Sequence, residues 1–175
     1  MNEREPESAD REEAWEAAQA GAELIAEGEA QQAVHELQAL IERDPRNEYA
    51  YFHLGSAYYE LHDYPRALSA YVHALEIAPT YLGAMINAGH TLRLLGRYQQ
   101  AIRMAHQVLA RDKNDPDALY LLGAAHFAHG DNDAAEKYLQ HFLKTRPEPE
   151  VMLEVEGMLQ VIHGNVVEAE SDEPD

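Results

Sequence analysis

The sequence predicts an all-α chain: a solenoid of four helix-turn-helix repeats closed by one further helix. Three observations predict it. Gly21, Gly55, Gly89 and Gly123 recur every 34 residues, each followed twelve residues later by Ala33, Ala67, Ala101 or Ala135. Pro45, Pro79 and Pro147 end three of the units, and Lys113 stands in that place in the remaining one. Between these markers each unit holds two apolar stripes at helical spacing, separated by a turn signal. Two antiparallel helices must pack along their length, and only small side chains fit where their backbones come closest. One such pair cannot bury its own apolar face, whereas stacked pairs bury a continuous core.

The repeats fall at 14–47, 48–81, 82–115 and 116–149, with no insertion between them. The opening helix is expected from Asp10, where Asp10 and Glu13 form a capping-box pattern. Residues 1–9 are expected to be a disordered acidic segment. Gly28 breaks the first repeat. In the second, Tyr51, Leu54, Tyr58 and Leu61 form one stripe, and Tyr64, Ala67, Leu68, Tyr71 and Leu75 form the next. His62-Asp63 makes the turn between them, and Gly96 and Gly130 do so in the third and fourth repeats. Asp63, Thr80, Asp115 and Asp131 stand where helix caps are needed, with Pro116 at a first helical position.

After Pro147-Glu148-Pro149 a last helix, 150–163, carries Val151, Val155, Met158 and Ile162 as a stripe, widened by Met152 and Leu159. Glu154 and Glu156 are expected to face away from it. This helix is expected to cap the open end of the fourth repeat. Residues 10–163 then form a single domain, and 164–175 a disordered acidic tail.

The 175 residues amount to one domain, and 46% of them are hydrophobic. The absence of cysteine excludes disulfides and thiolate metal sites. No apolar run approaches the roughly 18 residues that span a bilayer, and "MNEREPESADREE" has no apolar signal region. No membrane insertion is expected, and a cytoplasmic location is. The net charge is −19, of which residues 1–13 hold −4 and residues 150–175 hold −8. Such a surface repels phosphate backbones, so nucleic acid is not an expected partner. Repeat three departs from this, with five basic residues against two acids.

The chain resembles the tetratricopeptide repeat family over residues 14–149. With Glu48 as position 1, repeat two places Tyr51, Leu54, Gly55, Tyr58, Tyr64, Ala67, Tyr71, Ala74 and Pro79 at that family's signature positions. The others depart at Ala17, Met85 and His126. The resemblance implies a right-handed α/α superhelix whose first helices line a concave groove. It assigns to that groove Tyr49, Phe52, His53, Ser56 and Tyr59 from repeat two. From repeat three it takes Ile86, Asn87, His90 and Arg93, beside Gly83. From repeat four it takes Tyr120 and Phe127, beside Leu121. Trp15 is divided between this groove and local packing. Asn87 stands where peptide-binding members of the family often have asparagine. Members that clamp the C-terminal carboxylate of heat-shock chaperones need Lys, Asn and Arg where this chain has Phe52, Ser56, Asp117 and Leu121, so that mode is not expected.

The residues support the groove on their own chemistry. Aromatics supply contact area at low entropy cost, and an asparagine amide can hold the backbone of an extended peptide. No Gly-rich phosphate loop, H-E-x-x-H or nucleophile elbow occurs, so no catalysis and no cofactor is expected. Neither the pairs His126/His129 and His53/His90 nor "DKNDPDAL" at 112–119 makes a metal site, so no metal is expected. The expected function is a protein-protein interaction adaptor or scaffold that holds a partner segment in the groove. Two alternatives are a small acidic secretion chaperone of the type III class and a scaffold that self-assembles into homo-oligomers, as in the magnetosome-coating member of the family.

Overall fold

The computed structural model describes residues 6–164. Among these the chain is all-α: α1 (Pro6–Ala26), α2 (Ala30–Arg43), α3 (Glu48–Glu60), α4 (Tyr64–Ile77), α5 (Leu82–Leu94), α6 (Tyr98–Leu109), α7 (Pro116–His129), α8 (Asn132–Leu143) and α9 (Pro149–Ile162). Successive helices pack antiparallel in pairs, and α9 lies on α8. No helix among the described residues is long and apolar enough to cross a membrane.

The turns form where the sequence places them. Gly28, Gly96 and Gly130 have φ of +82°, +71° and +84°, a region costly for most side chains. His62 does the same work in repeat two at φ +58°. Asp63, Asp115 and Asp131 each cap a helix by accepting a backbone N–H three residues on.

Three local expectations are corrected. The opening helix begins at Pro6, so Asp10 and Glu13 lie within it and form no capping box; Pro6 is pre-set for a first helical position. Residues 6–9 are therefore helical, while 1–5 lie outside the described residues, as do 165–175. Thr80 is not a cap: Tyr81 precedes α5 and makes no side-chain cap bond. An unforeseen cap is Asn47, fully buried, whose side chain accepts from Ala50 N at 2.9 Å and donates to the Ala14 carbonyl of α1 at 2.9 Å. It ties the first helix of one repeat to the start of the next.

The small residues lie where the helices touch. Ala33, Ala67, Ala101 and Ala135 are all fully buried. A Cβ on Gly21, Gly55 or Gly123 would meet Leu37, Tyr71 or Leu139 at 2.5, 2.6 and 2.4 Å. In each case the obstacle is a side chain of the same repeat's second helix. Repeat three solves the problem differently. Its equivalent residue is Ala105, too small to cover Gly89, and Leu121 from α7 fills the space at 2.3 Å from a Cβ there. Leu121 is therefore fully buried core and not groove lining.

Extending the 34-residue register past the fourth repeat places Gly157 at the same position as these glycines. α9 is thus laid down like the first helix of a fifth repeat. No second helix covers it among the described residues, and a Cβ on Gly157 would meet nothing within 4 Å. Val155 is fully buried against Leu119, Leu139 and Phe142, whereas Leu153 and Val161 are exposed.

The stacking is uneven. α1 packs closely along α3, but α3 and α5 touch only lightly. One hydrophobic cluster covers repeats one and two and takes in Ala88 of α5, another covers three and four, and Leu68 and Leu75 of α4 pack against both. The gap between α3 and α5 positions the site.

Candidate peptide-binding groove

Tyr71 reaches into this gap. Because residue 55 is glycine, the Tyr71 ring packs directly against α3 at that point, and its hydroxyl bonds side chains of both α3 and α5. It donates to Ser56 Oγ at 3.2 Å, and Asn87 Nδ2 approaches it from α5 at 3.5 Å. Ser56 in turn donates to the Phe52 carbonyl at 3.2 Å. Burial pushes the Tyr71 hydroxyl up to about 12, so it stays a donor at neutral pH. Above this floor is a pocket of about 240 Å³, lined by Ser56, Tyr59, Glu60, Tyr71, Asn87 and His90.

The polar groups here retain bonding capacity. Asn87 has its carbonyl oxygen and one N–H to spare. Burial, reinforced by the nearby Arg93 guanidinium, lowers His90 to about 4, so its imidazole is neutral and can both donate and accept. Burial also lowers His53. Tyr59 is raised by burial, with Arg93 acting in the opposite sense.

An aromatic cluster extends the pocket toward the start of α5. Phe52 packs on Tyr81 with centroids 4.9 Å apart and on Tyr71 at 5.9 Å, while Tyr49 meets Tyr81 edge-on at 5.7 Å. Gly83 leaves room for them: a Cβ there would stand 3.2 Å from Tyr81 and 3.6 Å from Phe52. At the other end His90 meets Tyr120 at 5.7 Å, and Tyr120 meets Phe142 at 5.4 Å. The Tyr120 hydroxyl donates to Glu154 of α9 at 2.7 Å, so Glu154, exposed and turned from the apolar stripe as expected, closes this end of the groove.

Of the expected residues, Ser56, Tyr59, Asn87 and His90 meet in the pocket, Phe52 and Tyr49 join the cluster beside it, and His53 packs against Phe52 at 5.1 Å. Arg93 and Tyr120 continue the line. Ile86 is a correction: it is buried with Leu92, Ala101 and Ile102, on the side of α5 that packs into that core cluster. Trp15 is 48% exposed, so local packing does not claim it. Phe127 is half-buried and has no ring contact among the described residues. Tyr71, Tyr81 and Glu154 were not among the expected site residues. An aromatic just before Gly83, and the glutamate at the groove-facing register of α9, are the signals that point to two of them.

A larger depression, about 460 Å³, lies near the start of α1, lined by Asp10, Arg11, Asp44, Arg46 and Glu48 among others. Its charges are of both signs, and Arg11 already pairs with Glu48 at 3.4 Å. Two histidines outside the groove are likewise engaged: His126 with Asp131 at 3.1 Å and His129 with Gln99 at 3.1 Å.

Two tetratricopeptide repeat family models match the chain, at residues 49–114 and 92–153. Human Superkiller complex protein 3 is 27% identical over 112 residues, which is 64% of this chain and 7% of that protein. The formate-dependent nitrite reductase complex bifunctional subunit NrfFG of Haemophilus influenzae is 27% identical over 124 residues, 69% of this chain and 32% of that protein. The chain thus spans a small part of the length of these curated relatives. Among solved structures, MamA from Desulfovibrio magneticus RS-1 aligns with a TM-score of 0.76 at 20% identity, covering 87% of this chain and 84% of that one. PilF of Pseudomonas aeruginosa aligns with a TM-score of 0.75 at 24% identity, covering 89% and 72%. With its unbroken 34-residue register, its buried glycine and alanine crossings and these matches, the chain belongs to the tetratricopeptide repeat family, an all-α superhelical repeat fold.

Proposed function

We propose that this protein is a protein-binding scaffold that holds an extended segment of a partner polypeptide along its first helices, centred on the gap between α3 and α5. The observation that carries the reading is the pocket itself. Spare hydrogen-bonding capacity on Asn87 and His90 lies beside a cluster of aromatic rings. Backbone amides of an extended peptide would use the first, and an apolar side chain of that peptide would rest on the second. Both matching family models are tetratricopeptide repeats, and the pocket offers a polypeptide aromatic contact area and spare hydrogen-bonding groups.

The test is capture of the partner from the native host, followed by calorimetry with Phe52→Ala and Asn87→Ala. Each variant is expected to bind at least about tenfold more weakly, as interface anchors do, with far-UV circular dichroism unchanged. Full affinity in both variants sinks the groove. Recovery of one secreted, membrane-active protein would specify the role as a secretion chaperone.

A further inference from the structure

The groove contains a cation whose buried donor is unused. Arg93 leaves the last turn of α5 and lies close enough to Tyr59, His90 and Tyr120 to act electrostatically on all three. Its Nε is shut off from solvent and donates to nothing among the described residues. A buried unsatisfied donor of a charged group is costly, and structures rarely leave one without a ligand or water to accept from it. The nearby carboxylates do not serve: Glu60 lines the neighbouring pocket and Glu154 is held by the Tyr120 hydroxyl, and neither forms an ion pair with Arg93. The surrounding repeat is the only basic one in a chain of net charge −19.

Resting on the groove reading above, we infer that Arg93 is a carboxylate-recognition point, and that the bound segment carries an Asp or Glu side chain seated between Tyr59, His90 and Tyr120. The guanidinium offers a planar fork that matches a carboxylate bidentately. The tyrosine rings on both sides exclude water and strengthen the pair. Neutral His90 can donate to the same carboxylate or to the adjoining peptide carbonyl. Selectivity follows: the acidic surface repels acidic segments in general, and only one that threads the groove gains the paired contact.

The test is selection of random linear peptides displayed on phage, run in parallel on the full wild-type chain and on Arg93→Gln. Wild type should enrich peptides with an acid at one fixed position, and Arg93→Gln should lose that enrichment. Replacing the acid by its amide in a selected peptide should weaken wild-type binding about ten- to hundredfold and leave binding to Arg93→Gln unchanged. The peptide-side replacement decides the matter even if the variant folds poorly. Peptides that need Phe52 and Asn87 but carry no preferred acid, or whose acid is indifferent to Arg93, overturn this inference alone. Failure to select any peptide even with the acids of residues 165–175 neutralised, or selection of peptides indifferent to Phe52→Ala and Asn87→Ala, overturns the groove reading and this inference with it. Residues 165–175 hold five acids. If a variant with those five neutralised selects acidic peptides while wild type selects none, the site belongs to the chain's own tail, and assignment to a partner fails.

Discussion

Replacing Gly55 with alanine tests the packing rule and the site together. A Cβ there would stand 2.6 Å from two carbons of the Tyr71 ring and 3.0 Å from a third, inside the 3.4 Å where ordinary contact begins. The ring is a rigid plate at 1% exposure, so no side-chain end can swing clear. Either α3 shifts away from α4, or Tyr71 is driven toward the groove and its bonds to Ser56 and Asn87 are lost. Overpacking costs roughly 1–3 kcal/mol, and meeting a ring rather than a methyl puts this case in the upper part of that range. Alanine's better helix propensity offsets about 1 kcal/mol, which leaves a net loss of about 1–2 kcal/mol. Gly157→Ala is the control, because it meets open space and should gain about 0.5–1 kcal/mol. Thermal unfolding followed by circular dichroism reads both, at about 2–4 °C per kcal/mol for a chain of this size. In a Tyr71→Ala background, Gly55→Ala should stop being destabilising, since the ring that the new Cβ would meet is gone. If Gly55→Ala proves as stable as Gly157→Ala, the account of the crossing is wrong.

Two further predictions concern stability. His90 is neutral in the fold, lowered to about 4, and protonates near its ordinary 6.5 once unfolded. The unfolded state therefore binds the extra proton, and the stability present above pH 6.5 is lost as pH falls toward 4, by on the order of 3 kcal/mol. Urea titrations of wild type and His90→Gln should diverge over that window, and parallel curves would refute the assignment. Asn47→Ala removes the α3 cap and leaves the Ala14 carbonyl without its partner, at a cost of about 1–3 kcal/mol. Hydrogen exchange should show faster opening of α1 in this variant than in wild type; unchanged α1 protection would mean that Asn47 does not tie the two repeats.

The fold was legible because its rule is periodic. Glycine and alanine at fixed offsets state where backbones meet, and turn and cap residues stand at the same intervals. The site was legible in part. Asn87, His90, Ser56 and Phe52 lie on the face their register assigns. Leu121 did not follow, because the covering of one glycine depends on which neighbour is large enough to reach it, and Ile86 did not because it packs with Leu92, Ala101 and Ile102. With Ala105 too short, Leu121 is drawn into the core, and α5 and α7 pack accordingly. The pocket itself was not legible. It depends on the light contact between α3 and α5 and on Tyr71 bridging that gap, and both are properties of three helices together. Glu154 could have been found by carrying the repeat register one unit further.

The most direct measurement is a backbone NMR titration of the full chain with a captured partner segment. Resonances of Phe52, Ser56, Asn87, His90 and Tyr120 should shift together, with Tyr71 at the pocket floor, while those of α6, α8 and the rest of α4 hold still. Shifts confined to those second helices, or to the exposed side of α9, would contradict this account.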